Sequence, residues 1–209
     1  MPKKYDKAQQ HCLFSPKTKV IDQSTIYLTN QDGIDSLENY IDLLEYFRSK
    51  EEGDEVTIVI SGLGGDLNTS IALANVIAES KAIVIADVLG TVASGHAMVT
   101  LSCDAIITHS GSNLMLHTFS GGAYGKGMDG ISSLSSTNEQ LREVLLDYAQ
   151  GFMSPEEIDS MLEKNRDLFF TGDELRRRIL NLYKYRQDAG LNKGGMVFQF
   201  EEETSIDNE

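Results

Sequence analysis

Gly90-Thr91-Val92-Ala93-Ser94-Gly95-His96-Ala97 is the stretch on which the reading of this chain turns. Before it runs Ile83-Val84-Ile85-Ala86-Asp87-Val88-Leu89, whose β-branched content and length predict a buried strand. After it, Ala97-Met98-Val99-Thr100-Leu101 can wind as a short buried helix. A serine between a strand end and a helix start sits where backbone N–H groups lack partners. Such donors can stabilise an oxyanion, so the position suits a nucleophile. Taken alone, the position more often marks a plain N-cap. The rest of the chain has to decide between the two.

Working outward, the elements alternate. Thr25-Ile26-Tyr27-Leu28 reads as a strand, and Ile34, Leu37, Tyr40, Ile41, Leu44 and Phe47 fall on one helical face. Val56-Thr57-Ile58-Val59-Ile60 is nearly continuous apolar sequence, which predicts a parallel sheet covered on both sides. Ser61-Gly62-Leu63-Gly64-Gly65 follows, then a helix with Leu67, Ile71, Ala74, Ile77 and Ala78 buried. Ala105–Thr108 and Leu114–His117 are further strands, and Thr118 to Gly130 is rich in glycine. A long helix carries Ile131, Leu134, Leu141, Leu145 and Tyr148 on one stripe. Ser154-Pro155-Glu156-Glu157 is a capping box that opens the next helix. Leu168-Phe169-Phe170 is a short strand, Arg176-Arg177-Arg178 lie on a solvated helix face, and Met196–Phe200 alternates like an edge strand. This β-α alternation predicts an α/β fold.

The 209 residues are enough for one domain with a real core. A formal net charge of −14 argues against nucleic acid as a partner, which demands clustered positive charge. Residues 201–209 are acidic and read as a solvated tail. Cys12 and Cys103 have no metal-ligand spacing and make no disulfide framework, which fits a reducing cytoplasm. No run is long enough to span a bilayer and no signal peptide is expected, so neither a membrane nor any metal or cofactor is anticipated.

A serine hydroxyl needs a base before it can attack. His117 is the candidate, at a strand end that leads into a glycine-rich loop, where α/β sheets place catalytic groups. A hydrogen-bonded core histidine is the competing reading. His96 and His109 are rivals for the base, but helical geometry points His96 away from Ser94, and His109 sits in a turn. Asp167 could orient the imidazole, or simply terminate a helix in solvent. Gly64-Gly65 and the N–H of Gly95 would supply oxyanion donors. Val92 stands two residues before Ser94, so the G-x-S-x-G elbow of α/β-hydrolases is absent.

With these residues in view, the chain resembles the ClpP family, the proteolytic subunits of Clp proteases, from about Thr25 to Phe170. Gly64-Gly65 is similar to the family's Ser-Pro-Gly-Gly turn, and Ala93-Ser94 to its Ala-Ser-Met-Gly segment. Met115-Leu116-His117-Thr118-Phe119-Ser120-Gly121-Gly122 is similar to Met-Ile-His-Gln-Pro-Leu-Gly-Gly, and Arg166-Asp167-Leu168-Phe169 to Arg-Asp-x-Phe. The resemblance implies Ser94 as nucleophile, His117 as general base, Asp167 as its orienter, and Gly65 and Gly95 as oxyanion donors. It implies a crotonase/ClpP-like spiral of β-β-α units with a protruding handle at about 121–150. An N-terminal arm would cover 1–24, the protease domain 25–182, and a C-terminal extension 183–209. Gly121, Gly122, Tyr124 and Gly125 would bind extended peptide by strand addition. The implied assembly is a homo-oligomer of two stacked heptameric rings, fed with polypeptide by an AAA+ unfoldase.

Departures from the family pattern are specific. Leu63 replaces a proline, and Gly95-His96 replaces Met-Gly. Arg176 to Leu182 stands where Tyr-Gly-Leu-Val-Asp is usual, and the N-terminal arm differs too. Such divergence suits a phage-encoded or accessory homologue. It also keeps open a catalytically inactive ring subunit and, more remotely, an acyl-CoA enzyme with a shared two-donor oxyanion site.

Overall fold

The structure is a computed structural model and describes residues 21–29, 32–120 and 127–193. Its centre is a six-stranded sheet. Strand β1 (Gln23–Leu28) pairs with β2 (Glu55–Gly62), and β2 with β3 (Ile83–Ala93), all parallel. The first half of β3 pairs with β4 (Ala105–Thr108) through Ile85–Val88. The second half leaves β4 and pairs with β5 (Asn113–Leu116) through Thr91–Ala93. Strand β6 (Leu168–Thr171) closes the sheet antiparallel to β5. The strand therefore continues through Gly90–Ala93, part of the stretch expected to turn, because a change of partner keeps its ladder satisfied.

Among the described residues one face of the sheet is only partly covered, whereas the run Val56–Ile60 had suggested cover on both sides. Val84, Ala86 and Val88 of β3 are buried, whereas Leu89 is 55% exposed, with Tyr27 at 72% and Ile107 at 46%. The registers Tyr27↔Val59, Val59↔Asp87 and Asp87↔Ile107 put one residue from each of four strands in a single row on this face, exposed at Tyr27 and Ile107 and buried at Val59. In the first helical segment, Ile34 does not join the helix. A 3-10 turn at Leu37–Tyr40 leads into α1 (Ile41–Arg48), and Leu37 and Ile41 stay exposed while Tyr40 and Phe47 are buried.

Helix α2 (Leu67–Glu79) starts on Asp66, whose carboxylate accepts the Thr69 N–H at 2.8 Å. Helix α3 (Gly95–Ser102) is only eight residues long and buried throughout. A helix that short is unstable alone, so packing against α2 and the sheet holds it. Helix α4 (Gly127–Ala149) presents Leu141, Val144, Leu145 and Ala149 to the core, while Leu134 remains exposed. Helix α5 (Pro155–Lys164) begins with the expected capping box: Ser154 Oγ accepts the Glu157 N–H at 3.2 Å and Glu157 Oε2 accepts the Ser154 N–H at 3.0 Å.

Helix α6 (Gly172–Asp188) runs through residue 182, where the protease domain was expected to end. Of the three arginines expected on a solvated face, Arg178 is largely buried. It donates to both Glu157 oxygens at 2.9 and 3.1 Å and lies 4.6 Å over the Phe170 ring. Near the end of α6, the Arg186 guanidinium donates to the Leu101 carbonyl, to Cys103 O at 2.7 Å and to Tyr148 O at 3.3 Å. The strand expected at 196–200 and the segment 121–126 lie outside the described residues.

Candidate active site

The sheet order explains how distant residues meet. Ser94 follows the last residue of β3, His117 follows the last of β5, and Asp167 precedes the first of β6. Strands β3, β5 and β6 are neighbours, and β6 runs the opposite way, so all three residues fall at one end of the sheet. The glycine turn after β2 reaches the same end. Crevices outside the carboxyl ends of parallel strands are the usual ligand sites of such sheets.

Ser94 carries the tightest turn. Its φ of 54° and ψ of −121° are rare for a residue with a side chain. Holding a non-glycine residue there costs of the order of 1–3 kcal/mol, so the surroundings must impose it. Its N–H donates to Met115 O at 2.9 Å, and its carbonyl accepts from Met98 N at 3.0 Å. It stands at the N-cap of α3, yet its side chain makes no capping hydrogen bond. The plain N-cap reading is therefore wrong for the hydroxyl, although right for the backbone position.

Gly64 and Gly65 pass directly against this turn. A Cβ on Gly64 would lie 2.6 Å from Ser94 Cβ and 3.0 Å from its Oγ, and Gly64 has φ +110°. Gly65, at φ +145°, bridges to Ile34: Ile34 N donates to Gly64 O at 2.7 Å and Asp66 N donates to Ile34 O at 2.6 Å. This bridge uses the amides on either side and leaves the Gly65 N–H out of it. The Gly95 N–H is in the first turn of α3, where no intrahelical acceptor exists. The departure at Gly95 has a packing reason as well, since a Cβ there would meet Ser70 Oγ at 2.1 Å.

Ser94, Gly95, Gly65 and His117 line one cavity of about 610 Å³. Its other walls are mixed: Leu63, Met98, Leu116 and Leu141 are apolar, while Asp66, Asn68, Thr137 and Gln140 are polar. Asp167 is exposed and does not line it. The β5–β6 register nevertheless fixes its place: Leu116 pairs with Leu168, so the next antiparallel step sets His117 opposite Asp167. Among the described residues, no side-chain hydrogen bond joins Ser94, His117 and Asp167. Two residues before Asp167, Asn165 adopts the left-handed conformation (φ 51°) and accepts a hydrogen bond from Thr118 Oγ1. The Thr118–Asn165 link thus joins the segments carrying the imidazole and the carboxylate. Residue types alone gave no sign of it.

The rival histidines have other partners. His109 Nε2 sits 2.6 Å from Asp87 Oδ1, away from the cavity. His96 is fully buried, its Nδ1 accepts the Gly64 N–H at 3.0 Å, and burial lowers its pKa from the ordinary histidine value. Cys103 is also buried, its thiol pushed well up by desolvation. The peptide-binding residues expected at Gly121, Gly122, Tyr124 and Gly125 lie outside the described residues. No helix among the described residues is long and apolar enough to cross a membrane.

Comparison with known proteins bears on the family and the fold. Among curated proteins none matches the sequence. Among solved structures, a ClpP1 point mutant from Listeria monocytogenes superposes with a TM-score of 0.56 at 18% identity, covering 76% of this chain and 87% of that one. At that identity the likeness establishes the crotonase-like α/β fold. The family model described as Clp protease matches residues 8–177, most of the sequence. The chain belongs to the Clp protease family.

Proposed function

We propose that the protein is a self-compartmentalising serine endopeptidase, with Ser94 as nucleophile, His117 as general base and Asp167 as the residue that orients it. The observation carrying this reading is the strained, uncapped Ser94 turn opening into the cavity that His117, Gly65 and Gly95 also line. Ser94 Oγ attacks the peptide carbonyl carbon while His117 takes the hydroxyl proton. The Gly65 and Gly95 amides stabilise the oxyanion, each contributing about 2.7–4 kcal/mol in comparable sites. The intermediate collapses as His117 returns the proton to the leaving amine, giving an acyl-enzyme. Water, deprotonated by the same imidazole, then releases the acid.

The open sheet face with Tyr27, Leu89 and Ile107 supports a ring of identical subunits, because so much apolar surface is rarely left bare. Two stacked rings with handles at about 121–150, a protease domain over 25–182, an N-terminal arm at 1–24, a C-terminal extension at 183–209, and feeding by an AAA+ unfoldase in the cytoplasm complete the proposal.

The test is peptide hydrolysis and fluorophosphonate labelling of the assembled wild type and Ser94→Ala. Turnover should fall on the order of a million-fold, with loss of the label. Equal activity in the two proteins defeats the assignment. A second reading, an inactive ring subunit, is favoured by the missing hydrogen bonds among the three side chains in the single chain. It predicts that the assembled homomer resists labelling; rapid labelling removes it.

A further inference from the structure

We infer that His96 is a positioning residue that holds the oxyanion loop, residues 62–65, in register with the nucleophile. The inference rests on the peptidase reading above. It concerns a residue that stands where the family pattern has glycine.

Three observations meet at this side chain. First, His96 is fully buried in α3, and its Nδ1 accepts the Gly64 N–H at 3.0 Å. Second, its ring fills a slot that exists only because residue 62 is glycine: a Cβ there would lie 2.4–2.8 Å from three ring atoms. Third, Gly64 itself is so close to Ser94 that a Cβ would meet the serine's Cβ at 2.6 Å. The imidazole is thus the strut behind the loop, and the loop is the surface against which Ser94 turns.

The protonation state follows from the geometry. An Nδ1 that accepts cannot carry a proton, so the ring is neutral with its hydrogen on Nε2. Among the described residues, the buried Nε2 has no hydrogen-bond partner. A hydrocarbon side chain would fill the same slot without stranding a donor. What it could not do is accept the Gly64 N–H, which would then be the stranded group. The ring's chemical contribution is therefore that one acceptor, aimed at the amide next to the proposed Gly65 donor. On the far side of the loop Ile34 holds Gly64 O and Asp66 N, so His96 and Ile34 clamp it from two directions.

The experiment compares assembled wild type, His96→Phe and His96→Asn. Phenylalanine keeps the ring shape and removes the acceptor; asparagine can offer Oδ1 near the position of Nδ1. In His96→Phe, kcat should fall ten- to hundred-fold, with KM changed less than about threefold, because a misplaced oxyanion donor weakens the transition state and not ground-state binding. His96→Asn should recover kcat to within a few-fold. Hydrogen exchange of the peptide spanning residues 61–67 should quicken in His96→Phe and return towards wild type in His96→Asn. Unchanged kcat in His96→Phe, or an equal loss in both variants with assembly intact, overturns the inference and leaves the peptidase standing. If the wild type hydrolyses nothing, the peptidase reading falls, and the exchange pattern alone then decides whether His96 holds the loop: identical exchange in all three proteins overturns it.

Discussion

The Ser94 turn and the facing ends of β5 and β6 are built on different principles. Around Ser94 every neighbour is pressed close: Gly64 against its side chain, the Met115 carbonyl on its N–H, the His96 ring behind the loop. That crowding is what can hold a residue at φ 54°. His117 and Asp167 sit instead just past the last paired residues of two strands, one half-buried and the other exposed. Register sets them opposite each other, and the Thr118–Asn165 link is the cross-tie nearby. On the proposed reading, the nucleophile is held by close packing within the chain, whereas the imidazole and carboxylate lack side-chain hydrogen bonds among the described residues and would be aligned by subunit packing. A peptidase that must stay harmless before assembly would profit from this division.

Experiments can break the contrast or sharpen it. The largest expected effect is on turnover: Asp167→Asn should lower kcat by about four orders of magnitude, with fluorophosphonate labelling of the assembled particle as the readout. A loss under tenfold would mean that Asp167 does not orient His117. Next come two stability measurements by thermal or denaturant unfolding. Gly65→Ala should cost about 3 kcal/mol, because its Cβ would lie 2.0 Å from Ile34 O at a φ that alanine avoids. Thr118→Val should cost only about 1 kcal/mol, the usual value of one hydrogen bond. Equal costs would erase the distinction between a clamped turn and lightly tied strand ends.

The smallest effect concerns the root of β6. Arg178 hydrogen-bonds Glu157 and holds its carboxyl below the ordinary value. A lowered folded-state pKa adds stability that is present above the unfolded-state value and lost as pH falls through the folded one. Glu157→Gln keeps the capping box and removes the charge. Its melting temperature should lie slightly below wild type at neutral pH and converge with it below about pH 4. A constant gap across that range would show that the charge is irrelevant.

Much of this was legible in the residues. β-branched runs placed β2 and β3, the Ser154 box placed α5, and Ser94, His117 and Asp167 each landed at the element end expected. Three things were not. Ile34 has helical spacing with Leu37 and Tyr40, but its backbone is taken by the Gly64–Asp66 bridge, a contact between segments about thirty residues apart. The open sheet face was hidden because Val56–Ile60 is apolar on both sides whether a helix or another subunit covers it. His96 was judged by the direction of its side chain relative to Ser94. Periodicity gives that direction but not which amide waits there, so its bond to Gly64 needed coordinates.

Arg186 carries a consequence for the order of events during synthesis. Its guanidinium grips carbonyls at the end of α3 and just beyond it, at Leu101 and Cys103, and a third at Tyr148. A cation there satisfies acceptors that an eight-residue helix leaves bare and complements its negative pole. The ribosome delivers this arginine more than eighty residues after the α3 carbonyls it holds. On the proposed reading, a nascent chain would carry Ser94 at the start of an unanchored helix until residue 186 is made, and destructive chemistry would be withheld from copies shorter than that.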